Sequence, residues 1–107
     1  MILKKELDMK YKKEITFDMD TNEMKKEFGE GNYTKPYRIL KRILQRDFNF
    51  EHRQGSVYCS FYVMSTLELC GILLKLKRKC PWLKKCLIRM DICNVPILHE
   101  VTRLMKL

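Results

Sequence analysis

The chain has little that bends or breaks a backbone, with 4 Gly and 3 Pro in 107 residues. That scarcity, beside a hydrophobic content of 46%, excludes a low-complexity or linker-like chain and predicts one domain with a core of its own. A chain of this size buries roughly two-thirds of its unfolded surface, enough for a single core. Long apolar runs are also missing. Residues 1–13 alternate charges with single apolar side chains, so neither a signal peptide nor a spanning helix is expected, and the predicted setting is cytoplasmic with no membrane partner.

Metal and disulfide patterns are equally scarce. There is no Cys-x-x-Cys pair, no histidine stands at zinc-finger spacing from a cysteine, and five cysteines form an odd set. Cys59, Cys70, Cys80, Cys86 and Cys93 are therefore expected to be reduced and buried as small apolar side chains. Acids are the scarcer charge, 13 against 22 Lys and Arg, for a net +9. Residues 69–90 hold Lys75, Lys77, Arg78, Lys79, Lys84, Lys85 and Arg89 and no acid. Such a stretch is either the footprint of a polyanion or a solvated face.

What is present is regular patterning. After an N-terminal extension, residues 1–13, residues 14–20 alternate as a half-buried strand, with Ile15, Phe17 and Met19 on one side and Thr16, Asp18 and Asp20 on the other. Asp20 with Glu23 offers a helix cap, and Gly29 a stop. Pro36 opens a helix through Tyr37, Leu40, Ile43, Leu44 and Phe48, whose other face carries Arg38 and Arg42. Residues 48–53 and 56–61 read as a hairpin turning at Gln54-Gly55. In its second strand Val57, Cys59 and Phe61 are assigned to the core, and Ser56, Tyr58 and Ser60 to the other side. Ser65 or Thr66 caps a helix through Lys79 with Leu67, Cys70, Leu73, Leu74 and Leu76 on its apolar face. A last strand over residues 87–93 alternates Ile88, Met90 and Ile92 against Arg89 and Asp91, and Pro96 opens a C-terminal helix carrying Leu98, Val101, Leu104 and Met105.

The order strand, helix, strand, strand, helix, strand predicts an α+β fold, a ferredoxin-like βαββαβ sandwich. Residues 14–94 form its core, and 95–107 add a C-terminal helix. Right-handed crossovers put both helices on one face, leaving Thr16, Asp18, Ser56, Tyr58, Ser60, Arg89 and Asp91 on the open one. The end of the first strand should approach Ser56; whether Asp91 comes level with Asp18 depends on register. An open face bearing Tyr58 needs a cover, and a second copy is the simplest.

Phe17-Asp18, the stretch Met24-Lys25-Lys26-Glu27-Phe28-Gly29, Tyr33-Thr34-Lys35-Pro36-Tyr37 and Gln54-Gly55-Ser56-Val57-Tyr58 resemble, in order and spacing, the bacterial virulence-associated protein D (VapD) family. The resemblance runs from about Ile15 to Asp91, with Met24 at a leucine-type position. It implies a small homodimeric endoribonuclease of ferredoxin-like fold, similar to the small subunit of CRISPR adaptation complexes, and a toxin-like role opposite an antitoxin protein. The site residues it carries over are Asp18, Ser56 and Asp91.

Cleavage of single-stranded RNA has two chemical routes. Asp18 holds a divalent cation such as Mg²⁺ that activates water, or a general base deprotonates the 2′-hydroxyl. Asp18 otherwise bonds loop N–H groups, Ser56 orients a phosphate or stabilises the hairpin, and Asp91 supports the site or pairs with Arg89 or Arg53. His52 and His99 leave a two-histidine ribonuclease as a minor reading. Tyr58 either stacks on a base or packs in a dimer; Arg53, Arg38 and Arg42 are the expected phosphate contacts. The alternative function is a non-catalytic nucleic-acid-binding homodimeric adaptor.

Overall fold

Alternation along one strand organises the molecule. In the computed structural model, which describes residues 9–96 and 101–107, β1 (Lys12–Met19) buries Lys13, Ile15, Phe17 and Met19 on one side. There follow α1 (Thr21–Phe28), a short 3-10 turn (Glu30–Asn32), α2 (Lys35–Arg46), the strands β2 (Phe50–Gln54) and β3 (Val57–Ser60), and α3 (Thr66–Lys79). A helical turn α4 (Leu83–Cys86), β4 (Leu87–Val95) and a final turn α5 (Thr102–Met105) complete the order. The strands form one antiparallel sheet in the order β2-β3-β1-β4, so β1 is flanked by β3 and β4. Met24 of α1, Leu40 and Leu44 of α2 and Leu69 and Leu76 of α3 enter a single buried cluster with Ile15, Phe17 and Met19. The helices therefore cover one face of an α+β fold; on the other face Asp18, Arg89, Asp91 and Cys93 are exposed and Cys59 is buried. No helix among the described residues is long and apolar enough to cross a membrane.

Local chemistry sets the boundaries. The Asp20 carboxylate accepts from the Glu23 N–H (3.1 Å) and caps α1. Gly29 ends that helix at φ 95°, ψ 156°, a region open essentially to glycine alone. Because no atom stands within 4 Å of where a Cβ would sit, Gly29→Ala should cost only the backbone term, about 1–3 kcal/mol by urea unfolding. At α3, Ser65 Oγ accepts from Glu68 N–H (3.1 Å) while the Glu68 carboxylate accepts from Ser65 N–H (3.3 Å), a reciprocal capping box. That bond to Ser65, followed by Lys10, holds the Glu68 carboxyl below its ordinary range. Its stabilising effect is present at neutral pH and lost as acid protonates it.

Several expectations are corrected. The first strand starts at Lys12 rather than Glu14, and Tyr11 already exchanges backbone hydrogen bonds with Met64 (3.1 and 2.8 Å), so Lys13 belongs to the buried sheet. Tyr58 and Ser60 face the helices, whereas Val57 and Cys59 face away from them. The pairing Ile15↔Tyr58 and Thr16↔Val57 fixes this, since directly paired residues share a face. Both parities of 57–61 carry an aromatic residue; Tyr58, within β3, takes the core, and Phe61, just beyond the strand's end, is exposed. Tyr58 is 2% exposed and stacks on Phe17 at 5.9 Å with 8° between rings.

On α3, Leu67, Cys70 and Leu74 are exposed, and Leu69, Ile72, Leu73 and Leu76 turn inward. Apolar residues run nearly all round this helix, so periodicity alone could not select its buried side. Cys59, Cys80 and Cys86 are buried as expected; Cys70 and Cys93 are exposed, and all five thiols are free. At the C-terminus the described helix is the single turn α5, and Leu98 and His99 lie outside the described residues.

Candidate active site

Asp18 stands where β1 meets an irregularity in its neighbour. It pairs with Arg89, but Met19 pairs with Leu87, so Ile88 is an extra residue that bulges out and is exposed instead of joining the core as predicted. Bulges twist a strand locally and re-aim its side chains. The next pair on the same open face is Thr16↔Asp91, and beyond β1 Thr16 pairs with Val57. The hairpin turn comes in from the other side: Ser56 gives its carbonyl to the Phe17 N–H (3.3 Å). Gly55, at φ 47°, makes that turn, and the His52 Nε2–H donates to its carbonyl at 2.7 Å.

These elements enclose an open pocket of about 300 Å³ lined by Thr16, Phe17, Asp18, Ser56, Val57, Arg89 and Asp91. This is the small end of ligand-site volumes. Asp18, Ser56 and Asp91 are thus brought together. Arg89 Nε donates to Asp91 Oδ2 at 2.7 Å, so of the expected roles for Asp91 the pairing with Arg89 is present. The Asp91 hydrogen bond, its charge and that of Asp18 hold the Arg89 guanidinium above its ordinary range. Asp18 itself is exposed and makes no ion pair among the described residues. On the helix side, the Tyr37 hydroxyl is pushed up by burial and then by the charge of Asp18.

The expected nucleic-acid contacts are dispersed. Arg53 is on the open face but lines a neighbouring depression with Glu14, Val57, Cys59 and Val95, and it pairs with Glu51 at 3.6 Å. Arg38 and Arg42 occupy exposed positions of α2 opposite Leu40 and Leu44 and do not line the pocket. Tyr58, buried against Phe17, has no surface on which a base could stack. Arg89 was legible as a basic residue of the open face and a partner for Asp91. Its place beside Asp18 follows from the cross-strand register, for which the alternation of β1 and β4 gave the parity and nothing gave the offset.

Mg²⁺ takes octahedral oxygen ligands, commonly one or two carboxylates with waters. Here Asp91 is engaged by a guanidinium placed between the two acids, and no three His, Cys, Asp or Glu side chains converge among the described residues. Among the described residues this leaves Asp18 as the carboxylate of the pocket with no ion-pair partner. Compared with known proteins, the chain matches no family model and no curated protein.

Proposed function

We propose that the chain is a VapD-type endoribonuclease on a ferredoxin-like frame, cutting single-stranded RNA in the pocket of Asp18 and Arg89. The observation that carries this reading is the juxtaposition of an exposed carboxylate and an arginine, with the Ser56 turn beside them, at the mouth of one pocket. A net charge of +9 supplies the attraction for a polyanion, and affinity should fall steeply with salt. The strand order β2-β3-β1-β4 with helices on one face supports the ferredoxin-like assignment.

In the mechanism, Arg89 binds the scissile phosphate, and Asp91 holds its guanidinium in place. Asp18 accepts the 2′-hydroxyl proton, the 2′-oxygen attacks the adjacent phosphorus, and the P–O5′ bond breaks as the 5′-oxygen leaves with a proton from solvent water. The phosphate ends as a 2′,3′-cyclic ester and the downstream fragment begins with a 5′-hydroxyl. Ser56 orients a phosphate oxygen. The pairing of Asp91 with Arg89, which leaves Asp18 as the carboxylate without an ion-pair partner among the described residues, favours a general base over cation-activated water. The homodimer and the antitoxin partner stay part of the reading, the first measured by light scattering at micromolar concentration.

The test uses end-labelled single-stranded RNA with the full chain, in Mg²⁺ and in EDTA. Cleavage should persist in EDTA and leave cyclic phosphate ends. Ends bearing a 5′-phosphate, formed only with Mg²⁺, would reverse the choice of mechanism. Salt-sensitive binding with no cutting at all would support the adaptor.

A further inference from the structure

Lys13 is the only charged residue among the fully buried polar side chains described, at 1% exposure, and no carboxylate among the described residues pairs with it. Burying an ammonium without a counter-charge is costly, and lysines so placed tend to lose the proton. Its backbone N–H is fixed by Ser60 Oγ (2.8 Å), which itself donates to the Tyr62 carbonyl (2.7 Å). Its Nζ donates to Thr66 Oγ1 at 3.0 Å and to Asn94 Oδ1. A neutral amine has two N–H bonds and one lone pair. Two neutral acceptors satisfy both bonds and leave the lone pair uncommitted.

The same residues line a pocket. Lys13, Thr66, Ile92, Cys93 and Asn94 surround about 180 Å³ at the free edge of β4. That is room for roughly six waters, too little for a nucleotide and enough for a few heavy atoms. We propose that Lys13 forms a carbonyl-capture site, in which its Nζ condenses with a small aldehyde or ketone admitted at this edge.

The lone pair forms a C–N bond to the carbonyl carbon. Both amine hydrogens pass to the carbonyl oxygen, which leaves as water, and an imine remains; no oxidant or reductant is consumed. The Thr66 hydroxyl, already bonded to the nitrogen, relays the proton. Burial holds the Lys13 ammonium below the ordinary lysine range, opposed by Cys70 of α3 and Cys93 of β4. Among the described residues the Tyr11 ring, 5.7 Å from the nitrogen, is the other titratable group facing it.

The experiment treats the full chain with propanal and cyanoborohydride near neutral pH and maps propyl-lysine by peptide mass spectrometry. Lys13 should be labelled faster than exposed lysines such as Lys41 and Lys75, because a lowered pKa raises the free-amine fraction near neutral pH. The excess should vanish in urea, and Lys13→Met should remove the adduct. Labelling of Lys13 no faster than the exposed lysines, or an equal excess in the unfolded chain, overturns the proposal. The readout is independent of RNA cleavage, so this site and the nuclease reading stand or fall separately.

Discussion

Asp18→Asn is expected to slow RNA cleavage by about 10²–10⁴-fold while leaving RNA binding intact, since that is the range a positioned general base contributes. The substitution keeps the shape, turns one acceptor oxygen into an NH₂ donor, and removes the charge and the basicity. Folding should be unaffected, because Asp18 is exposed and makes no ion pair among the described residues. Removing a negative charge beside Arg89 also takes repulsion away from the incoming phosphate, so the loss should fall on kcat rather than KM. Single-turnover cleavage and filter binding on the same preparations separate the two quantities. Unchanged cleavage in the folded variant would remove Asp18 from the reaction. A parallel rise in Kd would make it a binding residue instead.

The strand parity of β1 and β4 and the cap of α1 were legible because each rests on local chemistry: alternation for Ile15, Phe17, Met90 and Ile92, and a carboxylate three residues before an N–H for Asp20. The approach of Ser56 to the end of β1 was legible from topology, since antiparallel neighbours bring a strand's end to the next one's start. What could not be read was any choice between two apolar faces. In β3 both faces are apolar, and in α3 nearly the whole circumference is, so tertiary contact decides. Lys13 escaped notice for a related reason. A lysine in an alternating stretch is ordinarily a solvent-facing residue, and its acceptors, Thr66 and Asn94, lie 53 and 81 residues away.

Tyr58 gives the second large effect. Tyr58→Ala should destabilise the fold by about 3–5 kcal/mol, the range for removing a buried aromatic ring. The ring is stacked on Phe17, stands 4.8 Å from the His52 ring and is 2% exposed, so truncation leaves a cavity on the sheet side of the core. Burial also pushes the Tyr58 hydroxyl up, so the phenol stays neutral through the physiological range. Loss of RNA binding by Tyr58→Ala would accordingly report unfolding, and a gentler replacement is needed to separate stability from recognition. Tyr58→Leu keeps much of the apolar volume and removes the aromatic face. Its urea midpoint should fall, and below that midpoint its RNA affinity should equal that of the wild type. Base stacking on Tyr58 would instead cost about 1–3 kcal/mol of affinity, roughly 5- to 150-fold. A loss of that size in a demonstrably folded Tyr58→Leu protein would require the ring to leave the core and reach the RNA, contrary to its packing against Phe17.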